Sequence, residues 1–132
     1  MSDPMKLLQN AKTIAVVGCS ATPGKDAHEI PRFMLGRGYD VVPVNPHAAE
    51  IFGVPAYKTL AEVPGGIDLV DVFRPSAEAP DVARQAAARG AKALWLQSGI
   101  ESDEAHEIAR AAGMRFVEDR CLKVEYWRMH KR

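Results

Sequence analysis

The sequence predicts an α/β fold: a doubly wound, five-stranded parallel sheet with helices on both faces. Three observations carry that prediction. Five short runs rich in β-branched and other apolar residues recur along the chain. Each is near-continuous rather than alternating, as strands buried on both faces require. Segments of helical character separate them, and strand–helix alternation implies right-handed crossovers within one sheet. The 132 residues, 47% hydrophobic and 26% charged, suffice for one globular domain with its own core, and residues 1–132 read as a single domain.

In chain order, Leu7 and Leu8 belong to a short leading helix. The first strand is Thr13–Gly18, and the helix after it contains Pro31. Proline lacks an N–H and is tolerated in the first turn, so that helix is expected to begin near His28. The second strand is Tyr39–Asn45; the stretch from His47 to Gly66, with Pro55, Pro64 and two adjacent glycines, is the least regular connection. The third strand is Ile67–Phe73, followed by an alanine-rich helix, Ala79–Arg89, that stops at Gly90. Ala93–Gln97 is the fourth strand. Ser102 then caps a helix running to Ala112, with Ala105, Ile108, Ala109 and Ala112 on one face and Gly113 at its end. Arg115–Glu118 is the fifth strand, and Cys121–Met129 the closing helix. With the chain reversing direction after strand three, the expected order is 3-2-1-4-5.

The charge balance narrows the partners. Seventeen basic and seventeen acidic residues cancel, which removes the usual electrostatic reason to expect nucleic acid or an anionic membrane. The basic end, residues 128–132, reads as a solvated tail. No apolar run approaches the roughly 20 residues that span a bilayer, and the opening residues lack an export signal. Two cysteines, Cys19 and Cys121, are too few for a disulfide framework. A cytoplasmic location is the expectation.

Ligands of such sheets bind outside the carboxyl ends of the strands, where strand order reverses; the expected order puts that point between strands one and four. The loop after strand one reads GCSATPGKD. Gly18 permits a sharp turn, Ser20 and Thr22 offer hydroxyls, and Lys25 sets a cation near a helix start that already favours anions. The loop matches neither G-x-G-x-x-G nor the Walker pattern, since Asp26 stands where Ser or Thr is required. By itself it is open between a phosphate cradle and a plain turn. Strand two ends in Asn45-Pro46-His47, without the acid that grips ribose hydroxyls in NAD sites. It reads equally as a turn or as a place for a nucleotide with an extra ribose phosphate. Arg74, between Phe73 and Pro75, is open between a phosphate and a nearby carboxylate such as Asp71 or Asp68. Gln97 and Ser98, before Gly99, can hydrogen-bond an amide-bearing ligand or simply end a strand. Cys121 stands beside Arg120 at a helix start, a setting that lowers a thiol pKa, although a buried inert thiol is the simpler reading.

Taken together, VVGCSATPGKDAH, VVPVNPHA, GVPAYKTLAEVP, DLVDVFRPS, LWLQSGI and EDRCLKVEY resemble the small stand-alone CoA-binding proteins of bacteria and archaea. Those are similar to the CoA-binding domain of the succinyl-CoA synthetase alpha subunit. The resemblance runs from about Leu7 to Tyr126 and implies a Rossmann-like domain that binds coenzyme A or an acyl-CoA. It places the pyrophosphate over the loop from Gly18 through Ser20, Ala21 and Thr22 to Lys25. It sets the nucleotide end by Asn45 and Pro46, and the groove wall at Phe73, Arg74 and Pro75. Gln97, Ser98 and Gly99 match the strand-four loop, and Cys121 matches a cysteine near the pantetheine end. The loop CSATPGK is poorer in glycine than that of the synthetase, and none of the four histidines lies in the synthetase's phosphohistidine motif.

No nucleophile–base pairing, metal-ligand spacing or G-x-S-x-G elbow is present in the sequence. The reading is therefore a non-catalytic CoA or acyl-CoA binding module, regulatory or carrier in role. The alternatives are an NADP-binding oxidoreductase or redox sensor, and a subunit of a larger acyl-CoA synthetase-type complex. Whether the chain pairs with itself or with a synthetase partner stays open.

Overall fold

The computed structural model describes residues 1–130; Lys131 and Arg132, the end of the basic tail, lie outside the described residues. The chain runs α1 (Pro4–Asn10), β1 (Thr13–Val17), α2 (Asp26–Gly36), β2 (Asp40–Val44), β3 (Glu50–Ile51), β4 (Val54–Pro55), β5 (Leu69–Val72), α3 (Ala79–Ala88), β6 (Ala93–Leu96), α4 (Asp103–Ala111), β7 (Arg115–Val117) and α5 (Leu122–Met129). All five expected strands form, and they pair in parallel. The extra pair, β3 and β4, is a small antiparallel hairpin inside the irregular connection. Its two-residue turn, Phe52-Gly53, has both φ angles positive, 59° and 76°, as the favoured hairpin turns require.

The strand order is β2-β1-β5-β6-β7, which corrects the expected 3-2-1-4-5 to 2-1-3-4-5 in terms of the five long strands. The chain reverses after β2, not after the third strand, so the switch point lies between β1 and β5. Pro43 supplies the physical reason. Its carbonyl accepts the N–H of Tyr57 at 3.0 Å on the side away from β1, so its ring nitrogen, which has no hydrogen to give, also faces outward. Proline belongs on an edge strand, and β2 is that edge. By contrast, every residue of β5 is buried, as a central strand demands.

Alternation along the strands divides the core in two. Ile14, Val16, Leu69, Trp95 and Val117 pack against Leu8 of α1, Ile30 and Met34 of α2 and Leu122 of α5. Ala15, Val70, Val72, Leu94 and Leu96 face Val82, Ala83 and Ala86 of α3 and Ala105 and Ala109 of α4. Small alanines let those two helices approach the sheet closely. Each fully buried Leu or Ile contributes about 1.5–3 kcal/mol. The closing helix divides its side chains: Leu122 is fully buried, while Val124 and Trp127 are 46% and 52% exposed.

Helix α2 begins at Asp26, two residues before the expected start, and holds Pro31 in its interior. The carbonyl that a residue at 31 would normally bond is that of Ala27. Here it accepts the N–H of Ser20 at 2.9 Å instead. The proline thus frees one helix carbonyl, and the loop after β1 uses it as an anchor. Replacing Pro31 by Ala should restore a competing donor; faster amide hydrogen exchange at Ser20, with less than about 1 kcal/mol change in stability, is the expected result.

Candidate functional site

At the carboxyl ends of the strands, two recesses flank the β1–β5 switch point, one on each side. The larger, about 640 Å³, is lined by Gly18, Ser20, Lys25, Asn45, Pro46 and Arg74 from the expected set, together with His47, Lys58, Thr59, Glu78 and Asp81. The smaller, about 350 Å³, is lined by Phe73, Gln97, Ser98 and Cys121, with Asp26, Glu29, Ile30, Ile100 and Lys123. Phe73 and Arg74 are consecutive, and each faces a different recess, so the two recesses flank the chain at that corner. Ala21, Thr22, Pro75 and Gly99 line neither. Another recess of similar size, about 660 Å³, lies at the opposite end of the sheet around α1 and Asp68. There Asp68 accepts from the N–H groups of Lys12 (2.9 Å) and Thr13 (3.0 Å) and pairs with Lys92 at 3.3 Å. Its polarity is satisfied internally, and it lies away from the switch point where ligands of such sheets bind.

The loop after β1 is held by its own bonds. The N–H of Thr22 donates to Ser20 Oγ (3.0 Å) and that of Gly24 to Glu29 Oε2 (3.0 Å). His28 Nδ1 lies 2.8 Å from the Ser20 carbonyl. The bond from Gly24 holds the Glu29 carboxyl below the usual carboxylate range. Lys25 caps α2 without any side-chain bond to the helix, and the N–H groups of Asp26 and Ala27 meet no acceptor among the described residues. Free helix N–H groups, a lysine and a tight turn form an anion-favouring corner. Gly18 closes it: φ is +86°, and a Cβ there would stand 2.9 Å from Arg74 Cδ and 3.2 Å from the Phe73 carbonyl oxygen.

Several expected ligand groups have intramolecular partners. Asn45 donates from Nδ2 to the Cys19 carbonyl (2.9 Å) and accepts the N–H of His47 on Oδ1 (2.7 Å). It braces the first loop against the second. Arg74 pairs with neither Asp71 nor Asp68. It makes a two-pronged contact with Glu78, 3.1 and 3.0 Å, at the exposed rim of the cleft. Gln97 lies deeper. It is buried, and its Nε2 lies 2.6 Å from Asp71 Oδ1 on the neighbouring strand. Burial pushes the Asp71 carboxyl up to about 8, with the Gln97 contact acting against that rise. The same burial, with Asp71 second, pushes the Cys19 thiol up to about 12, so Cys19 stays a thiol. Gly99, at φ +82°, gives its N–H to Asp119 (2.7 Å) and shapes the loop. Cys121 is half-buried at the start of α5.

Lys58, Thr59, Glu78 and Asp71 were not singled out as site residues in the sequence reading. Lys58 reaches the cleft because Tyr57 pairs with Val44 along the free edge of β2, a contact no local pattern announces. Asp71 did carry a signal: a carboxylate within the apolar run LVDVF must be neutral or partnered if the strand is central. Among the described residues, no helix is long and apolar enough to cross a membrane, and no group of three His, Cys, Asp or Glu side chains is placed to hold a metal ion.

Residues 12–127 match the sequence profile of the family described as CoA binding domain. YneT of Bacillus subtilis (strain 168) is 37% identical over 131 residues, covering 96% of this chain and 97% of that protein. A hypothetical protein from Pyrococcus horikoshii OT3 superposes with a TM-score of 0.93 at 35% identity, over 98% of this chain and 91% of that one. The ADP-forming acetate–CoA ligase of Methanocaldococcus jannaschii is 27% identical over 128 residues. That match takes in 91% of this chain but only 18% of the ligase. With a sheet of this order, a switch-point cleft and a match over nearly its whole length, the chain belongs to the CoA binding domain family.

Proposed function

We propose that the protein is a non-catalytic module that binds coenzyme A or an acyl-CoA across these two recesses. The observation that carries the reading is that the two recesses flank the Phe73–Arg74 corner, one on each side of it. It suits a ligand with a charged nucleotide at one end and a long, uncharged arm at the other. The pyrophosphate lies at the Gly18–Lys25 loop and the free N–H groups of α2. The nucleotide end sits among Asn45, Pro46, His47 and Lys58, where no carboxylate at the end of β2 repels a third phosphate. The arm passes Phe73 toward Gln97, Ser98 and Cys121. Because the chain spans 18% of the acetate–CoA ligase it resembles, a role beside a synthetase-type partner belongs to the same proposal.

Calorimetry tests it. CoA is expected to bind at micromolar Kd, at least about tenfold tighter than ADP, since the arm adds contacts that ADP lacks. NADPH is the control: saturable binding of NADPH that CoA does not displace would replace this reading with the oxidoreductase one. Lys25→Ala and Lys58→Ala should each weaken CoA binding about threefold to tenfold, and less at high salt. Cys121 lies where the thiol of the arm would end. Under a mild disulfide oxidant the two thiols would join and give up two electrons and two protons to it. Intact mass without reductant should then gain one CoA less two hydrogens, and Cys121→Ser should not.

A further inference from the structure

Gln97 lines the smaller recess, and with Asp71, which does not reach it, forms a pair of buried polar side chains with a fault in their bonding. Asp71 is fully buried and Gln97 is 3% exposed. They share one contact, and both Asp71 Oδ2 and the second amide atom of Gln97, Oε1 as oriented, have no partner. Among the described residues no lysine or arginine pairs with Asp71, so an ionised carboxylate there would be an uncompensated buried charge. The separation is 2.6 Å, short for N–H···O, where about 2.9–3.0 Å is usual, but ordinary for O–H···O. Oxygen and nitrogen of a side-chain amide are told apart only by their partners.

We infer that Asp71 is the neutral acid, that it donates its O–H to the Gln97 carbonyl oxygen, and that Gln97 thereby presents its NH₂ to the recess between α2 and α5 as the donor for a ligand carbonyl. One change removes the buried charge, explains the short contact and gives the recess a fixed donor. The ligand group it takes is an amide or thioester oxygen, and this part rests on the CoA reading above. The groups facing the pair are Cys19 on the first loop, Asp26 and Glu29 on α2, and Cys121 and Lys123 beside and on α5. Cys19 is raised to about 12 and Glu29 is lowered, so neither titrates between pH 7 and 9. Cys121 is controlled by working in Cys121→Ser.

The first measurement needs no ligand. In the full chain with ¹³C-labelled aspartate, the Asp71 carboxyl resonance, identified by its loss in Asp71→Asn, should titrate far above the ordinary carboxylate range, at pH 8 or higher, because burial and the bond to the Gln97 carbonyl both hold the proton. Titration in the ordinary carboxylate range overturns the inference. The second compares CoA with ADP by calorimetry at pH 7. Gln97→Met removes the presented NH₂ and should weaken CoA about fivefold to tenfold while leaving ADP unchanged. Unchanged CoA affinity in Gln97→Met overturns the ligand half. Failure of the parent to prefer CoA over ADP overturns that half together with the CoA reading, and the titration still decides the Asp71–Gln97 half.

Discussion

Asp71→Asn should make the protein more stable at pH 8 than the parent while leaving it little changed at pH 4. The carboxyl is fully buried, and its folded-state value is raised from 3.8 to about 8. Between those values the folded chain holds a proton that the unfolded chain has released. Stability of the parent therefore falls as pH rises from about 4 and levels off above about 8. Asparagine does not titrate, and its NH₂ can take over the contact with Gln97. The gap between the two proteins should open across that window and reach an upper bound on the order of 4 kcal/mol at pH 7. Local relaxation or water entry reduces it. Urea unfolding at pH 4, 6 and 8 measures the gap directly; a constant difference would mean that Asp71 is ionised in the folded protein and that a partner compensates it. Asp71→Leu separates charge from bonding: it removes the proton but strands the Gln97 amide, and should be less stable than Asp71→Asn at every pH.

Stability lost at neutral pH in this way is typical of residues kept for a site rather than for the fold. The position of Asp71 fits that pattern. It sits one strand-turn below Phe73, at the switch point, and its bonding determines what Gln97 can offer. Leu69 two residues earlier points to the same side of the sheet and is simply core.

Most of the architecture was legible because it is written in local pattern. The five apolar runs, Ser102 as a helix cap (its Oγ accepts the Ala105 N–H at 3.0 Å) and Gly90 and Gly113 after helices all express rules that act within a few residues. Strand order was not read correctly, although Pro43 recorded it: its missing N–H was a statement about which side of β2 lies outside the five-stranded sheet. The β3–β4 hairpin escaped because its strands are two residues long, too short for alternation to register. At the site, the backbone-shaping residues were readable and the side-chain pairings were not. Gly18 and Lys25 announce a turn and a cation, whereas Arg74 choosing Glu78, or Asn45 bracing Cys19, depends on distances that only the folded chain fixes. The pull of Ala27 on Ser20 is an intermediate case. Pro31 signalled a missing helix bond, and the donor that replaced it lay eleven residues back.

Gly18→Ala should cost about 2–4 kcal/mol and lower the melting temperature by roughly 10 °C, with CoA binding lost along with it. Two separate causes act at this residue. The first is conformational: φ is +86°, where an L side chain is strained by its own backbone. The second is spatial: a Cβ would press on the Phe73 carbonyl oxygen at 3.2 Å and on Arg74 Cδ at 2.9 Å. Arg74 is flexible but tethered to Glu78, whereas the carbonyl belongs to the chain leaving β5 and receives its own strand's constraint through the bond from Phe73 N to Val17 O at 2.9 Å. Gly24 isolates the first cause. It lies in the same loop at φ +94°, and a Cβ there meets nothing within 4 Å, so Gly24→Ala should show the conformational cost alone, about 1–2 kcal/mol. Adding Arg74→Ala to Gly18→Ala should recover only part of the difference, because the carbonyl remains. Equal costs at positions 18 and 24 would mean that backbone strain alone selects glycine at 18, and that the close approach of β5 to the first loop is looser than the structure describes.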